Sequence, residues 1–191
     1  ILMVGEIRDE ETAEIAVQAS LTGHLLLSTI HANSAPAVFP RLIEIGVKPF
    51  LLSGSINLVM AQRLVRKICS HCQEEYVPAP EVWEEVKKAL LAVKPRLGLD
   101  IQKILDLPAP KLKKGKGCKA CNSSGFLGRQ VIVEVLVPDD TLEALISKKA
   151  SIAEFTRAAV SMGMISMEQD GLSKALMGTT TIEEVWRVTK S

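Results

Sequence analysis

Two groups of residues in this 191-residue chain have types and spacings suited to chemistry. The first is sulfur. Cys69-x-x-Cys72 and Cys118-x-x-Cys121 account for all four cysteines of the chain. Each C-x-x-C turn offers two thiolates to one ion, and two such turns complete the tetrahedral set that a structural Zn²⁺ takes. The pairs stand 45 residues apart, more than the roughly 15–20 of a compact zinc ribbon. Loop-closure entropy tolerates this, because it grows only with the logarithm of loop length. His71 could compete as a ligand. Four sulfurs leave no open coordination position, however, so the expected site is structural rather than catalytic. The competing reading is two unrelated free-thiol pairs or a redox centre.

The second group is polar residues at the ends of apolar runs. In "ILMVGEIRDEETA" four large apolar residues lead to Gly5, Glu6 and Arg8. Ligands of open α/β sheets collect at the carboxyl ends of strands. A carboxylate there can polarise an attacking water or hold a Mg²⁺-bound one. Otherwise Glu6 faces solvent and pairs with Arg8. "HLLLSTIHAN" ends in the same way, with Ser28, Thr29, His31 and Asn33. Thr29 or His31 could hydrogen-bond a phosphate or a water. The competing reading makes His24 and His31 structural, bonded to backbone.

The elements that must position these groups follow from local pattern. Ile1–Val4 lacks alternation and predicts a strand buried on both faces, as in a parallel sheet. Asp9 caps a helix running to Ser20, stopped by Gly23. Residues 24–33 predict a second strand. Asn33 or Ser34 then caps a helix with Pro36 in its first turn, which Pro40 should kink. Phe50 to Ile68 reads as largely helical, 81–93 as an amphipathic helix, and 129–137 as a strand. Three capping boxes follow: Ser151 with Glu154, Ser166 with Gln169, and Thr181 with Glu184, with Gly163 and Gly178 ending the first two helices. Strand, helix, strand, helix is α/β grammar, with right-handed parallel crossovers the default connection.

Composition narrows the function classes. Apolar residues make up 47 % and aromatics 4 %, so the core is aliphatic. A net charge of +1 selects neither nucleic acid nor membrane. The middle is locally basic, with 12 Lys and Arg against 7 Asp and Glu over residues 65–128. Only Tyr76, Trp83 and Phe126 are aromatic there, a thin set for stacking bases. Lys111, Lys113, Lys114, Lys116 and Lys119 crowd the second cysteine pair. They read either as a solvated loop or as a docking face for an acidic protein loop or anionic headgroups. No apolar run approaches the roughly 18 residues of a membrane helix, and nothing resembles a signal peptide.

Together, "GEIRDEETA" and "TGHLLLSTIHAN" resemble the ATPases of type II secretion and type IV pilus assembly. The likeness continues through "AQRLVRKICSHC", "CKACNSSGFLGRQVIVEVL" and "DGLSKALMGTTTIEEVWRVT", covering all but about residues 77–115. The resemblance implies an α/β fold: the C-terminal part of a RecA-like P-loop ATPase core, a tetracysteine zinc-binding insert and a small helical C-terminal region. The corresponding segments are 1–64, 65–128 and 129–191. It makes Glu6 the Walker B glutamate, with Gly5 where many P-loop ATPases carry Asp. His24 and His31 become His-box residues and Arg63 and Arg66 phosphate-sensing or interface arginines, while Arg8 and Thr29 join the nucleotide and interface positions. Cys69, Cys72, Cys118 and Cys121 would hold the zinc.

The implied assembly is a homo-hexamer at the inner face of the cytoplasmic membrane, using ATP and Mg²⁺ to drive an inner-membrane platform protein. Peripheral membrane association would accompany this, and no nucleic acid. The alternative is a stand-alone zinc module that binds nucleic acid or protein. No G-x-x-x-x-G-K-[ST] phosphate loop occurs in the 191 residues. That absence, with the missing initiator Met, predicts a fragment entering the family pattern in mid-domain and inactive alone.

Overall fold

The computed structural model describes residues 1–92 and 110–190. In chain order the elements are β1 (Leu2–Ile7), α1 (Glu10–Leu21), β2 (Leu26–Ile30), α2 (Val38–Ile45), α3 (Pro49–Leu52) and β3 (Val59–Ile68). There follow β4 (Gln73–Tyr76), α4 (Pro80–Leu91), β5 (Leu112–Gly115), a 3₁₀ turn at Lys119–Cys121 and β6 (Phe126–Leu136). The chain closes with α5 (Asp140–Ser147), α6 (Ile152–Ser161), α7 (Met167–Leu176) and α8 (Ile182–Thr189). Among the described residues no helix is long and apolar enough to cross a membrane.

Backbone proximity divides the chain into two units, Ile1–Ala61 with Val135–Met164 and Gln62–Glu134 with Ile165–Ser191. In the first, β1 and β2 run parallel, with Leu2 beside Leu26, Met3 beside Leu27 and Val4 beside Ser28. The helix between them starts at the expected cap: Asp9 is extended and accepts the Thr12 N–H at 2.9 Å. α1 buries Ala13, Ala16 and Val17. Small residues on that stripe let it lie close to a core of Phe39, Leu42, Leu52, Leu142, Ile146 and Phe155. The Phe39 and Phe155 rings stack with centroids 5.2 Å apart, worth about 1 kcal/mol beyond their burial.

In the second unit β4 and β5 form an antiparallel ladder, Glu74 opposite Lys114 and Glu75 opposite Lys113. α4 is amphipathic, as its sequence requires. Trp83, Val86 and Leu90, spaced three and four apart, pack against Leu112, Leu172, Ile182 and Val185. Val93, the last residue of the expected 81–93 helix, lies outside the described residues. β3 and β6 are hydrogen-bonded neighbours, and each contributes residues to both units.

Four local expectations change. The first concerns 50–68, which is not one helix. α3 ends after four residues, Gly54 turns the chain at a φ of +73°, and "VMAQRLVRKI" is strand β3. Its apolar residues looked helical, but pairing with β6 sets the conformation and buries Val65 completely. Secondly, β1 is not buried on both faces: Ile1 is 87 % and Met3 83 % exposed. Among the described residues no element packs over the Met3 side chain, and β2 is the one strand paired with β1. Thirdly, the helix after β2 starts later than expected: it begins at Val38 with Ala37 as its N-cap and no side-chain cap, so neither Asn33 nor Ser34 caps it and Pro36 lies before it. Pro40 therefore sits in the first turn, where its missing N–H has no acceptor to lose, and it kinks nothing. Lastly, Ser151/Glu154 and Ser166/Gln169 are reciprocal capping boxes, but Thr181/Glu184 is only half of one. The Thr181 hydroxyl caps the Glu184 N–H, while the Glu184 carboxylate is used elsewhere.

Candidate functional site

The carboxyl ends of β1 and β2 bring three expected residues together. Arg8 Nε lies 2.6 Å from Glu6 Oε2, and His31 Nε2 lies 3.2 Å from the same oxygen. The Glu6 side chain keeps about a third of its exposure, so the carboxylate is held yet open to solvent. Arg8, read as its solvent partner, and His31, read as a functional candidate, thus meet on one atom.

A bulge aims this carboxylate. Val4 pairs with Ser28 and Ile7 with Ile30, so three steps along β1 match two along β2. Gly5 and Glu6 together face Thr29, whose hydroxyl donates to the Gly5 carbonyl at 2.8 Å. Such an insertion re-aims a side chain at a strand end. Beside His31 opens a cavity of about 540 Å³, lined among others by Asn33, Ser34, Pro40 and Arg41. His24 does not join the group. It lies before the other end of β2, with Nδ1 3.2 Å from the Thr22 hydroxyl.

The four cysteines converge as their spacing required. Their sulfurs all lie within 4.8 Å of one another and none is disulfide-bonded. The Sγ separations are 3.9 Å for Cys69–Cys118, 3.8 Å for Cys72–Cys121 and 3.7 Å for Cys118–Cys121. A tetrahedral ion bound at about 2.3 Å by four thiolates needs edges of about 3.8 Å, so the donor set fits a metal. Burial pushes the Cys72 thiol up to about 12. Burial also raises Cys121, but the N–H groups of Cys118 and Gly125, at 3.1 and 3.3 Å, bring it down to about 6. Thiolate is the form that ligates metal. His71 is not part of the cluster.

Residues 1–187 match the family model described as "Type II/IV secretion system protein". The chain belongs to this family. It is 47 % identical over 190 residues to the type II secretion system protein E of Pseudomonas aeruginosa, covering all of this chain and 34 % of that protein. It is 44 % identical over 185 residues to the type IV pilus assembly ATPase PilB of Thermus thermophilus, covering 97 % of this chain and 19 % of that one. The chain thus spans about a third or less of the length of these relatives. The X-ray structure of the Legionella pneumophila ATPase DotB matches 99 % of this chain and 38 % of its own, with a TM-score of 0.60 at 18 % identity. That likeness concerns fold alone and agrees with the expected α/β class; the tetracysteine cluster and the helical C-terminal region of the expectation are seen in this chain's own structure.

Within this family frame the two expected arginines differ. Arg63 lines a shallow groove of about 560 Å³ with Gln62, Leu64, Arg187 and Val188. Arg66 is clamped: its backbone N–H and Nε donate to Glu184 Oε1 at 3.1 and 3.0 Å, and Nη2 to Oε2 at 2.7 Å. Its guanidinium also lies 4.2 Å from the Phe126 ring centroid. Arg187 grips the same carboxylate at 2.9 and 2.6 Å.

Glu184 itself escaped the sequence reading, because its spacing from Thr181 made it a capping residue. Arg187, one turn on, was the only local hint. The lysines near the second cysteine pair are largely answered within the chain. Lys111 faces Glu75 at 3.5 Å, and Lys114 and Lys116 face Glu74 at 3.5 and 2.9 Å.

Proposed function

We propose that these residues are the C-terminal part of an ATPase that powers type II secretion or type IV pilus assembly. The observation that carries this reading is the Glu6 carboxylate at the carboxyl ends of two parallel strands, one oxygen shared by Arg8 and His31, in a chain of this family. Glu6 orients and deprotonates the water that attacks the γ-phosphate, and His31 and Arg8 hold it. Mg²⁺ bound with ATP would neutralise charge on the phosphates. His24, Gly5, Arg63 and Arg66 belong to the nucleotide-responsive and interface positions.

The functional division is 1–64 for the partial RecA-like core, 65–128 for the metal-binding subdomain and 129–191 for the C-terminal subdomain. The ion in the cysteine cluster is a structural Zn²⁺, one per chain. The assembly is a homo-hexamer in the cytoplasm, peripheral to the inner membrane, acting on a platform protein there. Both a secretion-system and a pilus-assembly relative support this reading.

The test is Glu6→Gln in the full-length ATPase. Nucleotide affinity should be kept while kcat falls about 100-fold or more, the usual weight of a general base. A variant turning over near the parent rate would make Glu6 a surface residue. Elemental analysis should return one zinc per chain.

A further inference from the structure

We propose that Thr29 and Arg8 are positioning residues for Glu6: Thr29 fixes the backbone bulge that presents the carboxylate, and Arg8 fixes which carboxylate oxygen meets the water. The inference rests on the reading of Glu6 as the water-activating base.

The bulge decides where residue 6 points. In parallel strands, paired residues share a face, and a slip of one residue exchanges the faces. Without the bulge, residue 6 would pair with Ile30, whose side chain packs against the apolar core with that of Ile7. A carboxylate there would lie partly buried against apolar side chains. The extra residue hands that place to Ile7 and releases Glu6 toward the strand end. Extra residues of this kind disrupt the local ladder, so another group must hold the backbone. Thr29 stands opposite the bulge, and its hydroxyl donates across the strands to the Gly5 carbonyl at 2.8 Å. Gly5 has open space on its Cβ side, so a clash does not hold the bulge in shape.

The carboxylate is then fixed at one oxygen. Arg8 Nε and His31 Nε2 both address Oε2, and among the described residues no group donates to Oε1. Glu has three rotatable bonds, and two nitrogens drawn to a single oxygen limit how its plane can turn. Oε1 is left to accept the proton of the attacking water. A misplacement of about 1 Å in such a group lowers the rate while leaving ground-state binding alone.

The experiment uses the full-length ATPase. Thr29→Val keeps the branched shape and removes the donor. It should lower kcat about tenfold, equivalent to about 1.4 kcal/mol, with nucleotide affinity unchanged, and Thr29→Ser should restore most of the loss. Arg8→Gln should show the same split between kcat and KM, with Arg8→Lys intermediate. In a Glu6→Gln background Thr29→Val should add nothing, since its effect passes through Glu6.

Three results overturn the proposal: a silent Thr29→Val beside a collapsed Glu6→Gln, a Thr29→Ser no better than Thr29→Val, or a loss of nucleotide affinity in either Thr29 variant. A silent Glu6→Gln instead removes the reading of the base itself, so the two failures are told apart.

Discussion

Glu184 is the residue whose removal should be felt most widely in its unit. Its side chain is 1 % exposed and serves two guanidiniums and one backbone N–H. Burial alone would raise its pKa, but the donors from Arg187 and Arg66 outweigh that and hold it at about 2, against 4.5 for an ordinary glutamate. The unfolded chain therefore takes up a proton near pH 4.5 that the folded chain refuses until about pH 2. The stabilisation is complete above the unfolded value and is lost as pH falls through that window. Urea titrations at pH 7 and pH 3 should show the parent losing stability, and Glu184→Gln losing less between the two. Glu184→Ala should cost about 3 kcal/mol at pH 7, the low end for a broken buried pair. The low end applies because Arg66 and Arg187 stay half exposed and rehydrate. A pH dependence identical in parent and Glu184→Gln would move the titrating group elsewhere.

At the scale of elements, legibility followed the range of the interactions that fix each one. The α1 cap and the two complete capping boxes depend on residues three apart and were readable. The cysteine cluster was readable because two local turns carry it. β3 was not, since its partner β6 begins 58 positions after Ile68 and no local signal announces it. The bulge under Glu6 was equally hidden, because it exists only as a mismatch of register between two strands.

The knuckles show a related limit. Gly125 has a φ of +75°, and a Cβ there would enter the backbone of Gly115, 2.6 Å from its carbonyl oxygen. Its N–H also donates to the Cys121 sulfur. Gly125→Ala should therefore cost about 3 kcal/mol or more, combining left-handed strain with a backbone clash, and should lower the content of cysteine-bound metal. Gly23→Ala has a similar φ of +88° but open space around it, so it should cost only about 1 kcal/mol and leave the metal in place. Equal effects of the two in thermal melts, with full metal content in both, would show that the close approach of Gly115 and Gly125 carries no energy. With the proposed structural zinc in the cluster, chelation should likewise unfold the cysteine-bearing unit, since such an ion supplies about 10–16 kcal/mol of binding energy to folding.

At the scale of the whole chain, the groups present define what these 191 residues can do unaided. On the proposed reading Glu6, with Arg8 and His31 against one of its oxygens, would supply the part of a hydrolytic site that holds and activates a water. Phosphoryl transfer depends mainly on positioning the phosphates with backbone amides and a lysine. No phosphate-loop motif occurs in the sequence. The strand pair that bears Glu6 is open on one side, with Met3 of β1, Leu27 of β2 and Leu25 just before it all more than half exposed, and the Glu6 side chain itself keeps about a third of its exposure, so water reaches the carboxylate. Water there weakens every charge interaction that a closed site would strengthen. The isolated chain should therefore show no saturable ATP binding by calorimetry and no phosphate release above a protein-free blank. Glu6→Gln should make no difference to either reading. Phosphate release by the isolated chain that disappears in Glu6→Gln would mean that these residues already contain a complete phosphate-binding site.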